Sequence, residues 1–132
     1  RVMDAMRLPR KSDEQKALRT LAVEEATKGA VQVPYCVLER SVEAAKLAAR
    51  MVEQGNPNSL SDAGVASLCA RLAAKGAYYN VLINLPGLSD RDYIERTRTG
   101  AAKLLAATFG ICDETDMAVE ERLLAELEEG DE

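Results

Sequence analysis

A chain of 132 residues suffices for one domain with a buried core; its 47% apolar share comes mostly from Ala, Leu and Val, with no Trp and a single Phe, Phe109. The absence of histidine excludes Ser-His and Cys-His nucleophiles and His-based metal sites, and the isolated Cys36, Cys69 and Cys112 lack metal-ligand spacing and read as buried, cytosolic thiols. The net charge of −5 is uneven, +3 over residues 1–20 and −9 over residues 113–132; the basic cluster is too small for nucleic acid, and no apolar run approaches the roughly 20 residues of a membrane span.

Val2, Met3 and Met6 form an apolar stripe that Pro9 ends, as in the last turns of a helix. With no initiator Met, a fragment of a longer protein is expected. Ser12-Asp13-Glu14-Gln15 has the form of a capping box, with Ser12 at the N-cap and Gln15 three residues on. Leu18, Leu21, Ala22, Ala26, Ala30 and Val33 follow at helical spacing. Pro34 either kinks this helix or opens the next one at its first position. Val37, Leu38, Val42, Ala45, Leu47, Ala48 and Met51 carry the pattern to Gly55, expected as the glycine just past a helix end.

A polar turn, Gly55-Asn56-Pro57-Asn58-Ser59-Leu60-Ser61-Asp62, follows. Ser61 is expected to cap a third long helix, with Asp62 at its positive end. Val65, Leu68, Cys69, Leu72 and Ala73 keep the helical period. Val81-Leu82-Ile83-Asn84-Leu85 has β-branched content, but no turn precedes it and no second strand exists to pair with it, so it reads as helix. Pro86-Gly87 breaks the element. Ser89 is expected to cap a helix running through Tyr93, Ile94, Leu104 and Leu105 to about Gly110, followed by an acidic helix near Met117 to Leu127. Residues 1–132 thus form one all-α, up-and-down multi-helix bundle, ending over residues 113–132 in an acidic helix or tail. Uncovered apolar stripes predict a homodimer or larger assembly.

Asp62 and Asn80 lie 18 residues apart, five full turns of an ideal helix, with Gly76 and Asn84 within about 40° of that line. Asp62 and Asn80 are separated by roughly 27 Å, too far for both to act on one atom; a shared ligand must be long, or the two ends must come from antiparallel neighbours in an oligomer. Each residue has two readings. Asp62 is a helix-end acid or a reactive carboxylate, Ser61 a cap or a nucleophile, and Asn56, Asn58 and Ser59 either close the turn or bind a ligand. Asn80 and Asn84, poor helix formers within apolar sequence, either bond between helices or contact a ligand.

The stretch from Met3 to about Leu105 resembles the cyclodeaminase/cyclohydrolase family of folate enzymes. The resemblance rests on Met6-Arg7-Leu8-Pro9 with a following basic residue, Val33-Pro34, the Asn56 to Asp62 turn, Gly76-Ala77-Tyr78-Tyr79-Asn80-Val81-Leu82-Ile83-Asn84, then Asp90 and Tyr93. Family members convert 5-formiminotetrahydrofolate to methenyltetrahydrofolate with loss of ammonia, or interconvert methenyl- and 10-formyltetrahydrofolate by hydrolysis. They are helical and dimeric, and some are fused to a formiminotransferase domain. They are also longer at the amino end, where a Gly-rich helix opens the domain and the aspartate assigned as catalytic stands; this sequence matches the carboxy-terminal portion. The resemblance implies Asp62, then Asp90, as catalytic carboxylates. It implies Asn56, Asn58, Ser59, Ser61, Asn80, Asn84, Arg7 and Lys11 as substrate contacts, with reduced folate as substrate and no metal or other cofactor. The competing reading from another class is a non-catalytic helical dimerisation or docking module, whose amides bond between helices.

Overall fold

A computed structural model describes residues 1–129. A short helix α1 (Val2–Met6) precedes three long ones, α2 (Asp13–Gln54), α3 (Leu60–Asn84) and α4 (Arg91–Glu129), with 3₁₀ turns at Pro57–Ser59 and Leu85–Gly87. Among the described residues there is no strand, and Val81–Asn84 is helical. The long helices run up, down and up, each packed on the other two, while α1 rests on α2.

Each long helix buries a seam with alternating three- and four-residue spacing, the pattern of left-handed helical bundles. On α2 it includes Thr27, Val31, Leu38, Ser41, Ala45, Ala48 and Val52; on α3, Leu60, Ala63, Ser67, Ala70, Ala74, Ala77 and Val81. On α4 it runs through Ala101, Thr108, Cys112, Thr115 and Val119. Because α3 offers mainly Ala, its neighbours approach closely. Gly64 and Gly100 extend this: an added Cβ would lie 3.2 Å from Val119 Cγ1 at the first and would overlap the Tyr35 hydroxyl at the second. The buried hydroxyls of Thr27, Ser41, Thr108 and Thr115 donate to carbonyls one turn back, at 2.7–2.9 Å, which satisfies them inside an apolar seam.

The capping box forms as expected, Gln15 N–H donating to Ser12 Oγ at 3.2 Å and Ser12 N–H to Gln15 Oε1 at 3.4 Å. Other boundaries differ from the sequence expectation, each for a physical reason. Of the two readings of Pro34, the structure excludes a new helix start: Pro34 lies inside α2, and its interior cost of about 3 kcal/mol is outweighed by burial on both sides, where Val31 and Leu38 are fully enclosed. Gly55 ends α2 with φ −80°, not in the left-handed region.

Ser61 is not a cap. Pro57, with φ preset for a first helical position, moves the start upstream, and Asn56 Oδ1 accepts the Asn58 N–H at 3.0 Å. The 3₁₀ turn feeds into α3, which leaves Ser61 and Asp62 in its first turn. Ser89 is likewise displaced as a cap by Asp90, whose Oδ1 accepts the Tyr93 N–H at 3.0 Å. Finally, α4 passes Gly110 without a break, and the acidic segment through Glu129 is its continuation, not a separate helix. The roughly 1 kcal/mol helix penalty of an interior glycine is small beside the burial of Cys112, Thr115 and Val119 beyond it. Arg122, a lone cation in that segment, donates to the Val52 carbonyl near the end of α2 and ties the two helices together.

Candidate functional site

Beside their core seams, α2 and α3 carry a second seam of the same spacing: Ala30, Val33, Val37, Arg40 and Ala44 on one, Ala66, Cys69, Ala73, Gly76 and Asn80 on the other. No helix of the bundle covers these residues, so they bound an open groove. One part, about 770 Å³, is lined by Cys36, Arg40, Ser41, Ala66, Cys69 and neighbours. The other, about 500 Å³, is lined by Ala30, Pro34, Gly76, Ala77, Asn80 and Asn84. Val33, Val37 and Ala73 border both. Small side chains line the α3 wall of this open groove, and Gly76 leaves open space where a Cβ would stand.

Its polar end consists of acceptors. Asn80 Nδ2 donates to the Gly76 carbonyl at 3.0 Å and Asn84 Nδ2 to the Asn80 carbonyl at 2.8 Å. These carbonyl partners fix which end of each amide is the NH₂ and leave both Oδ1 atoms as acceptors. Neither amide bonds another helix among the described residues. Pro34 has no N–H, so the Ala30 carbonyl lacks its usual donor one turn on. Ala30, Asn80 and Asn84 therefore bring three acceptors to the walls of one apolar cleft.

Close by, the turn between α3 and α4 is stitched to α2. The Glu24 carboxylate accepts from Ser89 N–H (3.0 and 3.1 Å), Ser89 Oγ (3.0 Å) and Asp90 N–H (3.2 Å). The Ser89 backbone bond leads in holding Glu24 below its ordinary pKa. One turn on, Lys28 Nζ pairs with Asp90 Oδ2 at 2.8 Å and lies 5.1 Å from the Tyr93 ring centre. This bond to Lys28 lowers the Asp90 pKa, and its reciprocal raises that of Lys28. Both oxygens of Asp90 are thus engaged by the fold.

The remaining sequence-nominated residues lie elsewhere. Asn56, Asn58, Ser59, Ser61 and Asp62 are exposed at the opposite end of α3, roughly 27 Å from Asn80 by helix rise. Arg7 and Lys11 are exposed near the α3–α4 turn. There Arg19 Nε donates to the Met6 carbonyl at 3.0 Å beside a separate cleft of about 350 Å³, which does not include the amides. The structure brings Asn80 and Asn84 together, places Asp90 in the adjoining turn, and leaves the Asn56–Asp62 cluster apart. No pattern in the sequence marks Pro34, Val37 and Arg40 as groove walls, or Glu24 and Lys28 as partners of a turn more than 60 residues away. Among the described residues no group of His, Cys, Asp and Glu is placed to hold a metal, and no helix is long and apolar enough to cross a membrane.

The sequence profile described as Formiminotransferase-cyclodeaminase matches residues 1–103, which span α1, α2, α3 and the start of α4. The chain belongs to the formiminotransferase-cyclodeaminase family. Among family proteins, it is 41% identical over 105 residues to a methenyltetrahydrofolate cyclohydrolase of Methylorubrum extorquens, covering 80% of this chain and 50% of that protein. It is 34% identical over 103 residues to the formimidoyltransferase-cyclodeaminase of Rattus norvegicus, and 34% over 104 residues to that of Gallus gallus; each match covers 78% of this chain and 19% of the relative. The chain thus spans half the length of the cyclohydrolase and about a fifth of the two-activity proteins. The family match contains the groove, both turns and every residue nominated above; the acidic half of α4 lies beyond it.

Proposed function

We propose that this chain is part of a folate one-carbon enzyme, and that its reaction is hydrolysis of methenyltetrahydrofolate to 10-formyltetrahydrofolate. The observation that carries the choice of reaction is the 41% identity to a cyclohydrolase over 80% of the chain, against 34% to the cyclodeaminases quoted. The groove chemistry supports a folate. A pterin presents an amino group and a ring N–H on one edge, and the acceptors of Asn80, Asn84 and Ala30 suit those donors inside an apolar slot that suits the ring faces.

Hydrolysis adds water oxygen to the methenyl carbon between two nitrogens, releases one proton, and opens the ring by breaking one carbon–nitrogen bond. The substrate cation loses its charge, so a carboxylate nearby stabilises the reactant and can take the proton; a positioned base contributes about 10²–10⁴-fold. Asp62, whose carboxylate the fold leaves free, takes that role where a neighbouring copy in a homodimer brings it to the amides, since within one copy it stands roughly 27 Å from Asn80; Asp90 holds the turn, because its oxygens are committed to Tyr93 and Lys28. This reaction calls on no metal or redox cofactor. Cys112 is buried as expected, whereas Cys36 and Cys69 are exposed on the groove side of α2 and α3; free thiols there suit a reducing, cytoplasmic setting. A formiminotransferase partner goes with the alternative, ammonia-releasing reaction.

The test offers the intact protein methenyltetrahydrofolate and 5-formiminotetrahydrofolate in parallel, following loss of the methenyl chromophore and release of ammonia. Water-dependent loss of the chromophore without ammonia chemistry supports the proposal. Ammonia release from the formimino substrate would reassign the reaction to cyclodeamination. Absence of both turnover and saturable folate binding would overturn the folate reading.

A further inference from the structure

We infer that Arg40 receives the glutamate carboxylates of the substrate, an assignment that rests on the folate reading of the groove and gives the ligand a direction. The pterin lies at Asn80 and Asn84, and the tail runs along α2 away from them.

Charge is the first observation. Among the described residues neither part of the groove has a Lys, Arg, Asp or Glu in its walls apart from Arg40. The fold supplies Lys28 and Arg71 with carboxylates, at Asp90 and Asp113. Arg40 is exposed and makes no ion pair among the described residues. Glu43, one turn on, is taken by Lys46 at 2.9 Å. Across the groove, Arg71 and Lys75 of α3 turn toward α4, with the guanidinium 4.2 Å and the ammonium 5.8 Å from the Phe109 ring centre. The groove therefore holds one uncommitted guanidinium, whose planar fork of N–H donors matches a carboxylate with two parallel hydrogen bonds.

Order and distance are the second. The acceptors of Ala30, Asn80 and Asn84 stand at one end, where a pterin presents its donors. Val33, Val37 and Ala73 border both parts of the groove and give an apolar middle that suits a benzoyl ring. Arg40 follows on the same face of α2, ten residues past Ala30, or about 15 Å by helix rise. Summed over standard bond lengths, an extended folate separates its pterin edge from its glutamate carboxylates by roughly 15 Å. The opposite direction offers no such path. Arg7 and Lys11 lie toward the cleft at Met6 and Arg19, which shares no lining residue with the groove.

The experiment titrates the intact protein calorimetrically with two ligands: tetrahydrofolate, and its pteroyl amide, in which an uncharged primary amide replaces the glutamate. The unsubstituted protein should bind tetrahydrofolate about tenfold or more tightly than the amide. Arg40→Gln should remove that difference by weakening tetrahydrofolate alone. Arg40→Lys should restore part of it, because the charge returns without the planar fork. Asn80→Ala should weaken both ligands alike. An equal loss on both ligands in Arg40→Gln would make the side chain a groove wall and overturn its contact with the tail. A difference that survives Arg40→Gln and disappears in Arg7→Gln or Lys11→Gln would overturn the direction. Equal affinity of the unsubstituted protein for the two ligands would overturn the assignment to Arg40 and leave the folate reading standing. If neither ligand binds, the folate reading itself fails and the assignment falls with it.

Discussion

The two turns that join the long helices are both rich in polar residues, and the fold treats them in opposite ways. Around Ser89 and Asp90, nearly every polar group is consumed: Glu24, Lys28 and the start of α4 take up both side chains and their N–H groups. In the Asn56–Asp62 turn, a single side-chain bond, Asn56 Oδ1 to Asn58 N–H, sets the local geometry, and the other polar side chains face solvent while Leu60 anchors the turn in the core. Asp90 and Asp62 are both helix-start acids, yet only Asp62 keeps a carboxylate that the fold does not already use. The difference separates polar residues that build the molecule from those left for a ligand or a partner.

The comparison breaks most sharply at Glu24. Glu24→Ala leaves the Ser89 and Asp90 N–H groups without their acceptor and should lower the melting temperature by several degrees. Asp62→Asn should leave the melt nearly unchanged while reducing turnover. Equal losses of stability in the two variants would erase the distinction. The same turn should govern the pH dependence. Glu24 and Asp90 titrate below their ordinary values of 4.5 and 3.8, so the stability they add is present at neutral pH and is lost as the pH falls through those lowered values. Lys28 titrates above its ordinary 10.5, and its share is lost only as the pH rises past that raised value. Melts from neutral to acid should therefore fall below about pH 4, with a shallower fall in Glu24→Ala.

Next in size is the groove. Gly76→Ala places a methyl in open space beside Asn80 and should weaken folate binding about tenfold, equivalent to about 1.4 kcal/mol, without unfolding the chain. Gly29→Ala and Gly110→Ala, also unobstructed, should stabilise their helices by about 0.5–1 kcal/mol and leave binding alone. Titration calorimetry and denaturant melts distinguish these outcomes. The smallest effect tests the displaced cap: Asn56→Ala should cost about 1 kcal/mol, and Ser61→Ala no more than about 0.5 kcal/mol. The reverse order would restore Ser61 as the cap.

Much of the architecture was legible because it is written within single turns of helix. The Ser12–Gln15 box, the helical character of Val81–Asn84 and the shared orientation of Asn80 and Asn84 follow from spacing and side-chain type, and these interactions span four residues at most. The misplaced caps were also local, since Pro57 after Asn56 is a stronger start signal than Ser61 alone. Of the site, the sequence supplied the two amides and the uncommitted Asp62. It did not supply the walls around them.

What only the tertiary structure decided depends on residues far apart in the chain. Whether Pro34 ends α2 or sits within it turns on the burial of Val31 and Leu38 against α3. Whether Gly110 breaks α4 turns on Cys112, Thr115 and Val119 finding partners across the bundle. Whether Asp90 is reactive or structural turns on Glu24 and Lys28, more than 60 residues upstream. Local propensities compete at about 1 kcal/mol per residue, and burial of one large side chain contributes about 1.5–3 kcal/mol. Sequence therefore set the helices and their polar faces, and packing decided where those helices continued and which polar groups remained free.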